Sequence, residues 1–350
     1  MKSLFLPVLG TALAAFAGTS FAQSKVEVFG VIDLGVAYLS GSGSSKTGMS
    51  SGGANISRLG FRGTEDLGGG LKAGFWLEAG LDPDTGAGKS NGGLSFNRRS
   101  TVSLMGNWGE VRLGRDDSAT FLNTLIFAPF LTNGVGGTMG FTMLGIPGVP
   151  STGGAPIQIN NALSYFLPQN LGGFYGQAQV AFGEQPSNAA NKKEGDYYGL
   201  RLGYRQGAFN GALATGRLYG NANATNLTAN NVGLSYDFGV AKPMFLWATE
   251  KRGSTKITAV QIGVTAPVGN GEIRASYGHY NTSGNNADWD KLSVGYGYNF
   301  SKRTQVYGTY AYLKNKSGAK QSIGVQGLSA PGTTLGGNSS GLELGIRHFF

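Results

Sequence analysis

Few side chains in this sequence have the types and spacing that covalent chemistry requires. The 350 residues contain no cysteine and two histidines, His279 and His348, which stand far apart in the chain. Nucleophilic catalysis needs a nucleophile beside a base, and metal sites need clustered ligands. Neither arrangement surrounds these histidines. We therefore expect no enzyme activity, no catalytic residue, no metal site and no cofactor.

The arginines are the better candidates, and their chemistry is electrostatic attraction of anions. Arg58 and Arg62 share one parity, while Leu59 and Phe61 share the other. Because side chains alternate across a strand, both arginines should face the same, polar side. Arg98 and its neighbour Arg99 also lie in an alternating segment. Only one of them can face that side without a bulge, and alternation does not decide which.

The strands that position these arginines are predicted from the alternation of apolar and polar residues. In the last ten residues, Leu342, Leu344 and Ile346 alternate with Gly341 and Glu343. A terminal strand leaves an open backbone edge unless it pairs, and the first strand is its natural partner. We count 16 such segments, the even number expected of a closed barrel. The prediction is an all-β fold, a 16-stranded antiparallel transmembrane β-barrel with its apolar face toward lipid.

The connections between the segments support this architecture. Short links alternate with long ones, which centre on 40–53, 82–94, 116–157, 184–195, 219–230, 251–255, 281–289 and 315–338, although the link at 251–255 is itself short. Membrane barrels have short periplasmic turns and longer outer loops. A soluble β-sandwich is the alternative, but 16 strands with mixed glycine and tyrosine faces are difficult to place in one sandwich core.

The first 22 residues have the pattern of a cleaved signal peptide. Lys2 precedes an apolar run from Leu4 to Phe16, and Ser20-Phe21-Ala22 provides small residues around a cleavage point. We therefore predict a signal peptide at 1–22 and a single barrel domain at 23–350. The formal net charge of +9 is spread over the strands without an arginine-rich motif, so we do not expect nucleic-acid binding.

Several motifs resemble the Gram-negative trimeric porins, and the similarity spans the whole mature chain. The most specific is the block Ser57-Arg58-Leu59-Gly60-Phe61-Arg62-Gly63-Thr64-Glu65-Asp66-Leu67-Gly68, followed by Phe29-Gly30-Val31-Ile32-Asp33, Leu113-Gly114-Arg115 and the ending Gly345 to Phe350. The resemblance is to the neisserial and β-proteobacterial type, which includes anion-selective members. It implies a homotrimer in the Gram-negative outer membrane, with a third loop folded inward to narrow each pore.

The third outer loop, residues 116–157, carries charge only at Asp116 and Asp117. An apolar loop of this length should pack inside the barrel or, alternatively, against a neighbouring subunit. The spacing of Phe121, Leu122, Leu125 and Ile126 predicts a short helix at Ser118–Ala128 that buries this apolar face. We expect Phe127 and Phe130 to be packed as well.

The wall opposite this loop should be basic. General porins place inward arginines on the second and fourth strands, which match Arg58 and Arg98 here. Relatives often add an arginine after the third loop, where this chain has Gln158. Glu78 has the lumen parity and is a candidate internal partner. The candidate pore-constriction residues are therefore Arg58, Arg62, Arg98, Arg99, Glu78, Asp116, Asp117 and Gln158.

The resulting functional hypothesis is an outer-membrane porin for passive diffusion of small hydrophilic solutes and ions, with a preference for anions. The alternatives are a substrate-selective channel for organic anions and a structural or adhesive barrel with a plugged lumen. Expected partners are two further copies of the chain, small anionic solutes, and outer-membrane lipids including lipopolysaccharide. Lys314, Lys316 and Lys320 flank the last outer loop and are candidates for attracting anions or lipopolysaccharide phosphates, although a solvated loop is the simpler interpretation.

Overall fold

The structure is a closed antiparallel β-barrel, as predicted. The computed structural model describes residues 25–90, 93–138, 156–220, 226–283, 287–316 and 318–350. Each barrel strand pairs with its neighbours along the chain, and the last strand closes the sheet onto the first, with Val31 opposite Phe349 and Ser40 opposite Ser340. The predicted signal peptide lies outside the described residues.

Eighteen strands and one helix form the described structure. The first half of the chain contains β1 (Lys25–Gly41), β2 (Ser44–Ser51), β3 (Arg58–Gly68), β4 (Leu71–Asp82), β5 (Ala87–Gly88), β6 (Arg99–Gly106), β7 (Gly109–Asp117), α1 (Ala119–Ile126), β8 (Gln158–Phe166) and β9 (Phe174–Ala181). The second half contains β10 (Tyr197–Gln206), β11 (Phe209–Leu218), β12 (Leu227–Tyr236), β13 (Lys242–Arg252), β14 (Thr255–Val268), β15 (Gly271–Thr282), β16 (Trp289–Asn299), β17 (Thr304–Asn315) and β18 (Ser339–Phe349).

These elements make 16 barrel strands. Strands β2 and β3 both pair with β1 and together form the second barrel strand, interrupted at 52–57. The two-residue β5 pairs only with the end of β4. The predicted long loop at 40–53 was wrong, because β1 and β2 are joined by the tight turn Ser42-Gly43, and Gly43 adopts a φ of 83° that favours glycine.

The two faces of the barrel differ in polarity in the way that alternation predicted. On β18, Leu342, Leu344 and Ile346 are 44%, 58% and 50% exposed, while Glu343 between them is 1% exposed. Exposed leucine, valine and tyrosine side chains recur on the outward face of the other strands. Because an apolar exterior suits hydrocarbon rather than water, this surface fits a membrane.

Helix α1 forms where the spacing predicted it, inside the barrel. The Ser118 side chain caps it by accepting a hydrogen bond from the Phe121 amide at 3.2 Å. The predicted buried face was wrong: the helix buries Ala119, Thr120, Asn123 and Thr124, whereas its leucine, isoleucine and phenylalanine side chains are half-buried. Asn123 donates to Asn231 Oδ1 at 2.7 Å. The barrel wall is polar on its inner face, so the polar face of α1 packs against it. Among the described residues, no helix is long and apolar enough to cross a membrane.

After the helix, the loop follows the inner wall and packs as predicted for Phe127 and Phe130, which are 0% and 6% exposed. Glycines on the facing strands make room for it. A Cβ on Gly233 would lie 2.0 Å from the Phe127 ring, and one on Gly263 would lie 2.4 Å from Pro129. The loop then reaches β18, where the Val135 amide donates to Glu343 at 3.0 Å. This placement within one barrel does not need a neighbouring subunit.

The last outer loop, between β17 and β18, folds inward with its apolar part, whereas the three lysines that flank it are exposed, as the interpretation of a solvated loop predicted for them. Ala319 and Ile323 are each 1% exposed and join a cluster with Leu39, Tyr280 and Trp289 from the barrel wall. The outer half of the lumen therefore has an apolar core on the side of β11–β18.

Candidate pore constriction

Two of the predicted arginines share one carboxylate on the wall formed by β3, β4 and β6. Glu78 Oε1 accepts from Arg58 Nη1 at 3.1 Å and from Arg98 Nε at 2.6 Å. Trp76 Nε1 donates to the other oxygen of Glu78 at 3.1 Å. The Glu78 side chain is 8% exposed and the two arginines are 23% and 20% exposed. This group therefore carries a net charge of +1 and presents its guanidinium groups rather than its carboxylate.

Arg99 also lies on the inner side, so the expectation that only one of the adjacent arginines reaches inward was wrong. Strand β6 starts at Arg99, and Arg98 lies just before it, outside the strict alternation. Arg99 lies 3.6 Å from Asp116 and stacks on the Trp76 ring at 4.4 Å. Asp116 also binds Arg112 at 2.5 Å. Both arginines of the pair consequently have carboxylate partners.

Arg62 lies on the same wall, nearer to the end of the barrel with short turns. It forms a bidentate pair with Glu27, with both N–O distances at 3.0 Å. Its guanidinium also lies 5.0 Å from the centre of the Trp76 ring. A bidentate pair fixes the orientation of the arginine and compensates its charge locally. Arg62 therefore contributes geometry to the wall more than net charge.

Asp117 and Gln158 lie opposite each other where the third loop leaves and rejoins the barrel. Gln158 Nε2 donates to Asp117 Oδ1 at 2.8 Å. Gln158 therefore holds this carboxylate through a neutral amide. Both are among the predicted constriction residues, and the sequence did not indicate that they are partners.

The second outer loop adds a pair that the sequence did not indicate. Lys89 lies over Gly80 on the lumen side, and its Nζ is 3.4 Å from Asp82. Burial lowers the pKa of the Lys89 ammonium from its ordinary value. Asp82 also accepts from Gln326 of the last outer loop at 2.9 Å, so two outer loops meet beside the constriction wall.

The opposite wall contains an arginine that sequence reasoning missed. Arg201 on β10 lies beside α1, with its Nε 3.4 Å from Asn123 Oδ1 and its guanidinium 4.8 Å from the Tyr175 ring centre. It makes no ion pair with any described residue. The sequence did contain a signal for it, because Arg201 lies between Leu200 and Leu202, whose side chains point outward. Alternation along the strand therefore directs Arg201 into the lumen.

The geometry leaves a passage between a charged wall and a loop without charge. From Ser118 to Ile157 the loop has no ionisable side chain. On the short-turn side of the constriction the lumen widens into spaces of about 400 Å³ beside Arg62, Arg99 and Arg112 and about 610 Å³ beside Arg274 and Arg347. Ions and small polar molecules are the species that such a charged, water-accessible path suits.

Comparisons with known proteins agree with this architecture. The Gram-negative porin family model matches residues 10–318. The chain is 38% identical to outer membrane porin protein 32 of Delftia acidovorans, over 98% of this chain and 99% of that one. It is 26% identical to an outer membrane porin protein of Bordetella pertussis, with 97% of each chain covered. Among solved structures, the anion-selective porin from Comamonas acidovorans has a TM-score of 0.85 and 38% identity, and the match covers 94% of this chain and all of that one. By its barrel, its inward loop and these relationships, the chain belongs to the Gram-negative porin family of the outer membrane.

Proposed function

We propose that this porin is a passive diffusion channel that prefers small anions. The observation that carries the proposal is the pairing of two arginines, Arg58 and Arg98, with one carboxylate, Glu78, on a wall that faces a loop without charge. Arg201 adds an arginine without an ion-pair partner on the opposite wall. The similarity to a porin described as anion-selective supports the same direction of preference.

The proposed constriction residues have distinct roles. Arg58 and Arg98 provide the net positive charge, and Glu78 fixes their positions. Arg99 and Arg62 hold the surrounding wall through Asp116 and Glu27. Asp117 and Gln158 join the two ends of the third outer loop. Salt weakens these fields, with a Debye length of about 10 Å at 0.1 M and about 3 Å at 1 M.

We also propose that the mature chain, residues 23–350, assembles as a homotrimer after removal of residues 1–22. The outward face of β1 supports this proposal, because Val28 and Val36 are 56% and 50% exposed and offer apolar contact to a second barrel. The remaining apolar exterior would contact outer-membrane lipids, including lipopolysaccharide at the outer rim.

Reversal potentials in planar bilayers test the preference for anions directly. With a KCl gradient at low salt, we expect a potential of the sign that chloride permeation produces, and a smaller preference at 1 M. A potential near zero or of the opposite sign at low salt would overturn the proposed anion preference. A linear current without saturation favours passive diffusion over a substrate-selective channel, and an absence of current favours the plugged barrel.

A further inference from the structure

The cavity of about 610 Å³ at the short-turn end of the lumen combines two unlike surfaces. In porins this end is periplasmic. Its barrel wall carries Lys242, Arg274 and Arg347. The third outer loop covers it with Leu125, Ile126 and Pro129. The space is therefore basic on one side and apolar on the other.

Arg347 is the cation best placed to bind a ligand there. Its Nη1 donates to the neutral side chain of Asn55 at 2.6 Å, and it forms no ion pair with any described residue. The carboxylate of Asp33 on the same wall is already occupied by the Tyr307 hydroxyl at 2.6 Å and by the amide of Ala54 at 2.9 Å. Arg347 therefore retains donor capacity for an incoming carboxylate.

The other charges of the cavity limit how many negative groups a ligand can carry. Arg274 is paired with Glu272 at 2.7 Å, and Asp237 also lines the space. Three cations against two carboxylates leave one net positive charge. One negative charge on a ligand balances this excess, so a ligand with a single carboxylate fits best.

The apolar side of the cavity follows from the orientation of α1. The helix buries its polar face against the barrel wall, which leaves Leu125 and Ile126 half-buried at the cavity. The Phe349 ring lies 4.9 Å from the Arg347 guanidinium and is 36% exposed. These groups offer apolar contact within the same space as the free cation. An apolar body on the ligand would cover them and release water.

We propose that this cavity is a binding site for monocarboxylates with an apolar body, such as aromatic acids. The carboxylate binds Arg347, and the apolar body contacts Leu125 and Ile126. The inference rests on the proposed anion channel and adds a ligand class to it. Because a volume of 610 Å³ holds about 20 waters at about 30 Å³ each, a single bound ring slows ion flow without closing the path.

Benzoate and acetate are the probes that test this site, because they share the carboxylate and differ in the apolar body. With the purified porin in a planar bilayer, each acid is added to both sides of a KCl solution, and the chloride conductance is recorded. We expect benzoate to halve the conductance at a concentration at least about fivefold below that of acetate, since an apolar ring of this size gains on the order of 1 kcal/mol on partial burial.

Variants of the cavity separate its two surfaces. Arg347→Gln is expected to raise the half-blocking concentration of benzoate about fivefold, because one solvent-accessible charge contact is worth about 1 kcal/mol. Arg347→Lys keeps the charge and should keep most of the block. Leu125→Asn should reduce the difference between benzoate and acetate. The matched control is Arg217→Gln, an exposed arginine beside Tyr219 near the outer end of β11, which should leave the block unchanged.

The same bilayers distinguish failure of the site from failure of the channel. Conductance and reversal potential in KCl without organic acid report on the proposed function alone. The binding site is refuted if the conductance and reversal potential are as expected but benzoate and acetate block equally. It is also refuted if benzoate blocks the Arg347→Gln variant as strongly as it blocks the unmodified protein. An intact oligomer on mild gels is required of every variant, and Arg347→Lys provides a second test if Arg347→Gln does not assemble.

Discussion

Replacing Glu78 by glutamine is expected to strengthen the preference for anions. Glu78 is the one carboxylate within ion-pair distance of Arg58 and Arg98 among the described residues, at 3.1 and 2.6 Å. Removing its charge changes this group from +1 to +2. The glutamine oxygen can still accept one arginine hydrogen bond, so the wall should retain its shape better than after a truncation.

The size of the effect follows from Coulomb's law. At about 8 Å in water, one unit charge changes the energy of a monovalent ion by about 0.5 kcal/mol. The anion gains this amount and the cation loses it, so their difference changes by about 1 kcal/mol. That corresponds to about a fivefold increase in the ratio of chloride to potassium permeability. The increase should shrink at 1 M salt, where the Debye length is about 3 Å.

Reversal potentials of the unmodified porin and of Glu78→Gln, recorded in the same dilute KCl gradient, measure this ratio. Glu65→Gln is the matched control, because Glu65 loses the same charge at an exposed position of β3 on the opposite parity from Arg58 and Arg62. A shift toward cations, or an equal shift in the control, would refute the reasoning that charge at Glu78 moderates the anion preference.

Three further predictions concern the wall, the assembly and the loop. The double variant Arg58→Ser and Arg98→Ser leaves Glu78 without these partners and should move the reversal potential toward zero or beyond, whereas an unchanged potential would place the selectivity elsewhere. Deleting Phe350, whose backbone pairs with Gly30 at 3.1 and 3.2 Å, should lower the yield of folded oligomer on mild gels; a normal yield would contradict this. Gly233→Ala puts a Cβ 2.0 Å from the Phe127 ring and should destabilise the packing of the third outer loop by about 1–3 kcal/mol. A lower unfolding temperature and an altered conductance would show this, whereas an unchanged protein would show that the loop adapts freely.

Alternation along the chain was sufficient to predict the barrel because each strand must satisfy one apolar and one polar side. The pairing of β18 with β1 follows from the same argument, since an open edge is costly. The interruption at 52–57 was less visible: β2 and β3 both align with β1, but four extra residues lie between the two registers. Polar, glycine-rich residues obscured that β2 is a strand.

The orientation of α1 could not be deduced from its apolar spacing, because that deduction assumes an apolar surface as the packing partner. Inside this barrel the wall offers amides: Asn231 donates to the Thr120 carbonyl at 2.9 Å, and Asn123 donates to Asn231. A buried amide without a partner is costly, so the polar face of the helix satisfies the wall. As a consequence, the leucine side chains of the helix face the lumen.

Charge in the pore was the property that alternation described least well. Parity brings the side chains to the lumen but does not say which carboxylate lies beside which arginine. Those neighbours depend on register: Arg58 is opposite Gly80, and Glu78 is opposite Arg99, which brings Glu78 diagonally between Arg58 and Arg98. On the wall of β1, β3, β4, β6 and β7 the arginines that were expected to attract anions are largely compensated by carboxylates. The anion preference should therefore depend on the few positions where compensation is incomplete, such as the Arg58–Arg98 pair, Arg201 and Arg347, rather than on the number of arginines in the lumen.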